Sequence, residues 1–177
     1  MSRVVFVDRD GTIIREPPDK QIDSLEKLEF VPGILGGLRQ LADAGFSLLM
    51  VTNQDGLGTR AYPKADFDLV QGKVLRLLEG EGIRFDRIFI CPHRDEDGCR
   101  CRKPKTGLVD RYLRAHPLDP ASSFVLGDRE TDVAFARNLG IRAVRIARSR
   151  SRTGADFCTP DARAACGWIL SAVNGGA

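Results

Sequence analysis

The chain has 177 residues, 42% apolar and 29% charged, enough for one soluble domain with a sizeable core. A formal net charge of +3 and no concentrated basic stripe argue against a dedicated nucleic-acid binder. No apolar run is long enough to span a membrane, and Met1-Ser2-Arg3 leads straight into a short apolar run with no leader pattern. The expectation is a cytoplasmic protein with reduced thiols.

Short apolar runs alternate with helix-length segments along the chain. The first run, Val4 to Val7, reads as a buried strand ending at Asp8. Ile34 to Ala44 reads as a helix with Leu35, Leu38, Leu41 and Ala42 as its apolar stripe and Gly45 as its stop. Phe46 to Val51 is the second strand. Pro63 to Gly80 opens with proline near its first turn and repeats Phe67, Val70, Val74, Leu77 and Leu78 at helical spacing. Arg87 to Cys91 is a third strand, Thr106 to Ala115 a third helix, and Ser123 to Leu126 a fourth strand. Glu130 to Leu139 is a helix closed by Gly140, and Ala143 to Ile146 a fifth strand. The stretch Arg148 to Arg152 reads as a solvated loop, since no aromatics interleave with its arginines. Trp168 to Leu170 is either an edge strand or part of a last helix. The alternation predicts one α/β domain over residues 1–177, a central parallel sheet with helices on both faces.

Ligands in such sheets bind beyond the carboxyl ends of the strands. Four such ends carry reactive side chains: Asp8-Arg9-Asp10-Gly11-Thr12, Thr52-Asn53-Gln54-Asp55-Gly56, Cys91-Pro92-His93 and Gly127-Asp128. Asp8 and Asp10, two residues apart after a strand, repel unless a cation or a shared proton intervenes. A hard divalent ion with oxygen ligands fits, and Mg2+ suits phosphate chemistry. Asp128 adds a third carboxylate, and Asp132, one turn into the next helix, a supporting one. A carboxylate can attack phosphorus to give an acyl phosphate. Its neighbour can protonate the leaving alcohol and then deprotonate water. The Thr52 hydroxyl and nearby backbone N–H groups suit phosphate oxygens. Lys103 offers the cation for a transferring phosphoryl group, and Arg102 can fork onto a substrate anion or hydroxyl.

These residues, in this order, resemble the haloacid dehalogenase (HAD) superfamily of phosphohydrolases. Asp8-Arg9-Asp10-Gly11-Thr12 is similar to its first motif, Thr52 to the second, Lys103 to the third, and Gly127-Asp128 with Asp132 to the fourth. The resemblance implies a Rossmann-like three-layer sandwich, with Asp8 as nucleophile and Asp10 as general acid/base. It also implies Mg2+ held by the Asp8 side chain, the Asp10 backbone carbonyl and the Asp128 side chain. The intervals from Thr12 to Thr52 and from Thr52 to Lys103 leave no room for a large cap domain.

Three of the five cysteines cluster, which in a reduced chain suggests a metal before a disulfide. Cys91-x-His93, then Cys99-x-Cys101 running into Arg102-Lys103-Pro104, resembles the zinc loop of a subgroup containing histidinol-phosphate and heptose-bisphosphate phosphatases. Three thiolates and an imidazole make a closed tetrahedral Zn2+ site, a structural one that pins the loop carrying Arg102 and Lys103. Cys158 and Cys166 read as ordinary thiols and His116 as a plain loop residue. Arg15-Glu16-Pro17-Pro18 and the segment Asn53 to Thr59 resemble the histidinol-phosphatase members. The expected substrate is therefore histidinol phosphate, with Glu16, Asn53, Asp55 and Arg102 as substrate-binding residues. Glu16, Asp19, Asp23 and Asp55 would meet its ammonium and imidazole. A heptose bisphosphate phosphatase is the nearest rival, and a phospho-accepting signalling receiver or a zinc-stabilised binding module are rivals from other classes. A free-standing enzyme and a domain of a bifunctional one are both open, and with no heptad or apolar partner surface a monomer is the expectation.

Overall fold

The computed structural model describes residues 1–148 and 153–175. Six strands form one parallel sheet in the order β3-β2-β1-β4-β5-β6. They are β1 (Val4–Val7), β2 (Ser47–Asn53), β3 (Arg87–Cys91), β4 (Phe124–Gly127), β5 (Arg142–Ile146) and β6 (Phe157–Thr159). The helices are α1 (Ile34–Asp43), α2 (Lys64–Gly80), α3 (Asp110–Ala115), α4 (Glu130–Leu139) and α5 (Ala162–Asn174). Strand β1 runs parallel to β2, with Val4 beside Ser47 and Val7 beside Met50, and parallel to β4, with Val5 beside Phe124.

Strand side chains alternate between two apolar layers. Val5, Val7, Leu48, Met50, Phe124 and Leu126 join residues of α1, α2 and α5 on one face. Val4, Phe6, Leu49, Val51 and Val125 join Val109 and residues of α4 on the other. Both faces are covered, so the central strands are apolar at nearly every position. Right-handed crossovers explain the split: chain growth from β1 toward β3 lays helices on one face, and growth from β4 toward β5 lays them on the other. The strand order reverses between β1 and β4, which makes their carboxyl ends the switch point.

Local chemistry sets the helix ends. Gly45 has φ +80°, and its N–H reaches the Ala42 carbonyl while the Phe46 N–H reaches Leu41, as a left-handed stop requires. The Asp161 side chain accepts from the N–H groups of Arg163 and Ala164 and starts α5. That helix contains Trp168 to Leu170, which resolves the open choice in favour of helix. Gly37 on α1 lets α5 come close: a Cβ there would lie 2.7 Å from the Cys166 sulfur.

Three expectations are corrected. The third helix begins at Asp110 rather than Thr106, because Gly107 is pinned against the preceding loop. Its N–H bonds the Arg100 carbonyl, and a Cβ would lie 2.5 Å from that oxygen. On α2, Leu77 is exposed and Gln71 is buried in the inward stripe. Strand β6 was not expected at all: Phe-Cys-Thr is too short to announce itself, and it pairs only with β5. Within the run 148–152, only Arg148 is described, and it is exposed; the rest lies outside the described residues. Among the described residues no helix is long and apolar enough to cross a membrane.

Candidate active site at the switch point

Asp8 leaves the end of β1 and Asp128 the end of β4, so the switch point carries two carboxylates. Asp132 joins them from the first turn of α4. One oxygen from each of the three lies within 4.8 Å of the others. Two glycines make this convergence possible. A Cβ on Gly11, whose φ is +85°, would lie 2.4 Å from the Asp128 carboxylate. A Cβ on Gly127 would lie 2.3 Å from the Asp132 carboxyl carbon.

Lys103 enters from the other side and is 5% exposed. Its Nζ donates to Asp8 Oδ1 at 2.5 Å, Asp132 Oδ1 at 2.7 Å and the Val51 carbonyl at 2.7 Å. Asp132 does two things. Oδ1 holds Lys103, while Oδ2 accepts the Arg129 N–H at 3.1 Å and caps α4. It is therefore inside the carboxylate cluster, closer to the centre than its sequence position suggested.

Burial pushes the Asp8 carboxyl well above the usual range, opposed by Lys103 and reinforced by Asp132 and Asp128. Burial, then Asp132, pushes Asp128 up to about 6. Burial opposes the charge of Lys103, but Asp132 and Asp8 outweigh it and raise its pKa. Asp128 Oδ1 is buried without a hydrogen-bond partner. Crowded carboxylates with an orphaned oxygen are the donor set of a hard divalent cation, so these residues fit Mg2+. Asp8 and Asp128 would hold it. The Asp10 side chain is committed elsewhere, so only its backbone carbonyl remains as the ligand the motif implies.

A consequence for stability follows. The folded protein binds the Asp128 proton more tightly than the unfolded chain, whose ordinary value is 3.8. Stability from this group is full below that value and is lost as pH rises to about 6. In chelator at pH 7, Asp128→Asn is expected to melt higher than the parent, by at most about 3 kcal/mol or several degrees. Mg2+ should raise the parent's melting temperature and leave the variant's unmoved. A variant that melts lower than the parent in chelator would overturn this account of the cluster.

Asp10 is held on both carboxylate oxygens. Arg9 Nη1 donates to Oδ1 at 2.6 Å and Gln54 Nε2 to Oδ2 at 2.7 Å. Gln54 also donates to the buried Thr52 hydroxyl at 2.8 Å and accepts from the Tyr62 hydroxyl at 3.0 Å. Burial raises the Tyr62 pKa to about 12, so Tyr62 keeps the proton it donates. Arg9, Gln54, Tyr62 and Gln71 received no role from the sequence, because a buried polar network leaves no periodic signal.

The cavity beside these groups measures about 350 Å3. Asp8, Asp10, Thr52, Asn53, Asp55, Lys103, Arg102, Glu16, Asp19 and Asp132 all line it; Asp23 does not. Three residues expected to bind substrate already have partners within the chain. Asn53 spends its amide on the Lys103 backbone, donating to its carbonyl at 3.2 Å and accepting from its N–H at 3.0 Å. Asp55 is bound by the Arg102 guanidinium, and Glu16 by Arg129. Asp19 and Asp23 both pair with Lys27. The anions at the mouth are thus already neutralised by cations of the same chain.

Cys91, His93, Cys99 and Cys101 meet beyond β3. The Cys91 sulfur lies 3.7 Å from that of Cys99 and 3.2 Å from that of Cys101; His93 Nδ1 lies 3.1 Å from the Cys101 sulfur. With Zn–S bonds near 2.3 Å, tetrahedral sulfurs sit just under about 4 Å apart, so the four donors fit one zinc ion. The Arg102 N–H donates to the Cys99 sulfur at 3.3 Å and the Arg102 side chain to the His93 carbonyl at 3.1 Å. Burial raises the Cys91 thiol to about 12. Burial also acts upward on Cys99, but hydrogen bonds from Cys101 and the Arg102 N–H bring it down to about 7. Cys158 and Cys166 are buried outside this group, and His116 follows α3, stacked on Tyr112.

Fold and site together define a doubly wound α/β protein with a carboxylate–lysine centre at its switch point. The HAD-hydrolase-like family model matches residues 100–163. A histidine biosynthesis bifunctional protein HisB from Legionella pneumophila (strain Lens) is 47% identical over 151 residues, covering 85% of this chain and 43% of the relative. Its namesake from Campylobacter jejuni (strain 81116) is 48% identical over 144 residues, 81% of this chain and 41% of the relative. The chain therefore spans less than half the length of these curated relatives. The crystal structure of a D,D-heptose 1,7-bisphosphate phosphatase from B. bronchiseptica, complexed with magnesium and phosphate, superposes with a TM-score of 0.82 at 27% identity. It covers 97% of this chain and 99% of that one. By these matches the chain is similar to the HAD-like hydrolases.

Proposed function

We propose that the chain hydrolyses a small phosphate monoester, histidinol phosphate, through an aspartyl-phosphate on Asp8. The Asp8–Lys103–Asp132 contact beside Asp128 carries this reading: it is a neutralised carboxylate nucleophile within reach of a cation site. Asp8 attacks phosphorus, and the bond from phosphorus to the ester oxygen breaks as Asp10 gives that oxygen its proton. Asp10 then takes a proton from water, which attacks phosphorus and releases Asp8. Thr52 and Lys103 face the phosphoryl oxygens. Bound Mg2+ would neutralise charge on the phosphoryl group, held by Asp8, Asp128 and the Asp10 backbone carbonyl. Bound Zn2+ would fix the loop that ends in Arg102 and Lys103.

Identity near 47% to proteins named for histidine biosynthesis favours histidinol phosphate. Glu16 and Asp55 are proposed to meet the amine or ring by exchanging their arginine partners. The second reading, a heptose bisphosphate phosphatase, is favoured by the likeness to the B. bronchiseptica enzyme.

A side-by-side phosphate-release assay in Mg2+ decides between them. Histidinol phosphate is expected to have the higher kcat/KM, and Glu16→Gln or Asp55→Asn to raise its KM roughly tenfold, as loss of a charged hydrogen bond does. Faster turnover of the heptose bisphosphate would reverse the assignment. Unchanged histidinol phosphate kinetics in both variants would remove Glu16 and Asp55 from the site.

A further inference from the structure

Arg9 sits between the two aspartates of the first motif, on the opposite side of the strand end from the carboxylate cluster. It is 0% exposed, among the largest fully buried side chains of the protein. A buried guanidinium is costly unless its charge and donors are satisfied. Arg9 Nε donates to Gln71 Oε1 at 2.8 Å, Nη1 donates to Asp10 Oδ1 at 2.6 Å, and the group lies 4.9 Å from the Phe67 ring centre, while Nη2 is buried without a partner. Gln71 is a polar residue in the buried stripe of α2; its Oε1 takes the Arg9 Nε–H, and its Nε2 donates to the Met50 sulfur at 3.3 Å.

We propose that Arg9 is a positioning residue. Clamped by Gln71, its guanidinium fixes the Asp10 carboxyl in the orientation from which it exchanges a proton with the departing alcohol. This rests on the reading of Asp10 as the general acid/base. Gln54 holds the second oxygen, so the carboxyl group has one orientation. Lysine could not replace Arg9, because a point charge on a flexible stem cannot serve Gln71 and Asp10 together.

The test compares an alkyl phosphate, whose alkoxide needs a proton, with 4-nitrophenyl phosphate, whose leaving group departs without one. Alcohol release is followed in single turnovers with Mg2+. Asp10→Asn sets the reference: a loss of roughly 10²–10⁴-fold on the alkyl ester and far less on the aryl ester. Arg9→Met and Arg9→Lys are expected to lose roughly 10²-fold on the alkyl ester, with KM unchanged and the aryl ester nearly spared. Gln71→Met keeps the guanidinium, should move the same way by less, and carries the test if the Arg9 variants do not fold. Arg9→Met combined with Asp10→Asn should be no slower than Asp10→Asn alone. Equal losses on both esters, or losses that multiply in the double variant, overturn the proposal while Asp10 keeps its role. An Asp10→Asn enzyme with no leaving-group selectivity overturns the reading of Asp10, and this proposal with it.

Discussion

Asp8→Asn is expected to abolish phosphate release, by at least about four orders of magnitude, while the protein stays folded. The amide cannot form the acyl phosphate, so no weaker version of the same route remains. The fold should tolerate the change. Asn occupies the space of Asp, and Lys103 keeps Asp132 and the Val51 carbonyl as partners. Burial and two neighbouring carboxylates already disfavour charge at Asp8, so its neutralisation relieves repulsion in the metal-free protein. The parent should trap a hydroxylamine-sensitive phosphoenzyme on rapid acid quench, and the variant none. Residual turnover above about one part in a hundred, with a labelled phosphoenzyme still formed, would place the nucleophile elsewhere.

What the sequence disclosed was whatever obeys a local rule. Strands β1 and β3 and helix α4 match their expected limits, because Val4 to Val7 and Arg87 to Cys91 are bounded apolar runs and Gly140 is a left-handed stop. Asp8, Asp10, Thr52 and Lys103 line one cavity, with Asp128 beside Asp8, because each follows a strand or lies in a loop at the same edge of the sheet. What stayed hidden depends on tertiary partners. Asn53 looked like a ligand contact, yet its amide is bound to a backbone fifty residues on. Glu16 and Asp55 looked like free anions, but Arg129 and Arg102 reach them from distant loops. Arg9 looked like the spacer between two aspartates. No periodicity announces such pairs, since their spacing in sequence is set by topology alone.

The other large effect is expected at the cysteine cluster. Cys101→Ser, or prolonged treatment with a zinc chelator, should lower kcat by roughly 10²–10³-fold without touching any residue of the carboxylate cluster. The path is short and covalent. Cys101 is followed directly by Arg102 and Lys103, and Lys103 must cross from the cluster into the carboxylate centre to reach Asp8. Two supports guide it: the Cys99 sulfur accepts the Arg102 N–H, and Asn53 brackets the Lys103 backbone. Without the metal, Cys91 tends to hold its proton while Cys99 readily loses its own, so the four donors are no longer joined by one cation. The loop then loses its metal cross-link, and the Asp55–Arg102 pair that remains is solvent-screened. A zinc content near one per chain, lost together with activity and restored by Zn2+ but not by Mg2+, is the expected result. Full activity in protein shown to be zinc-free would detach the cluster from catalysis.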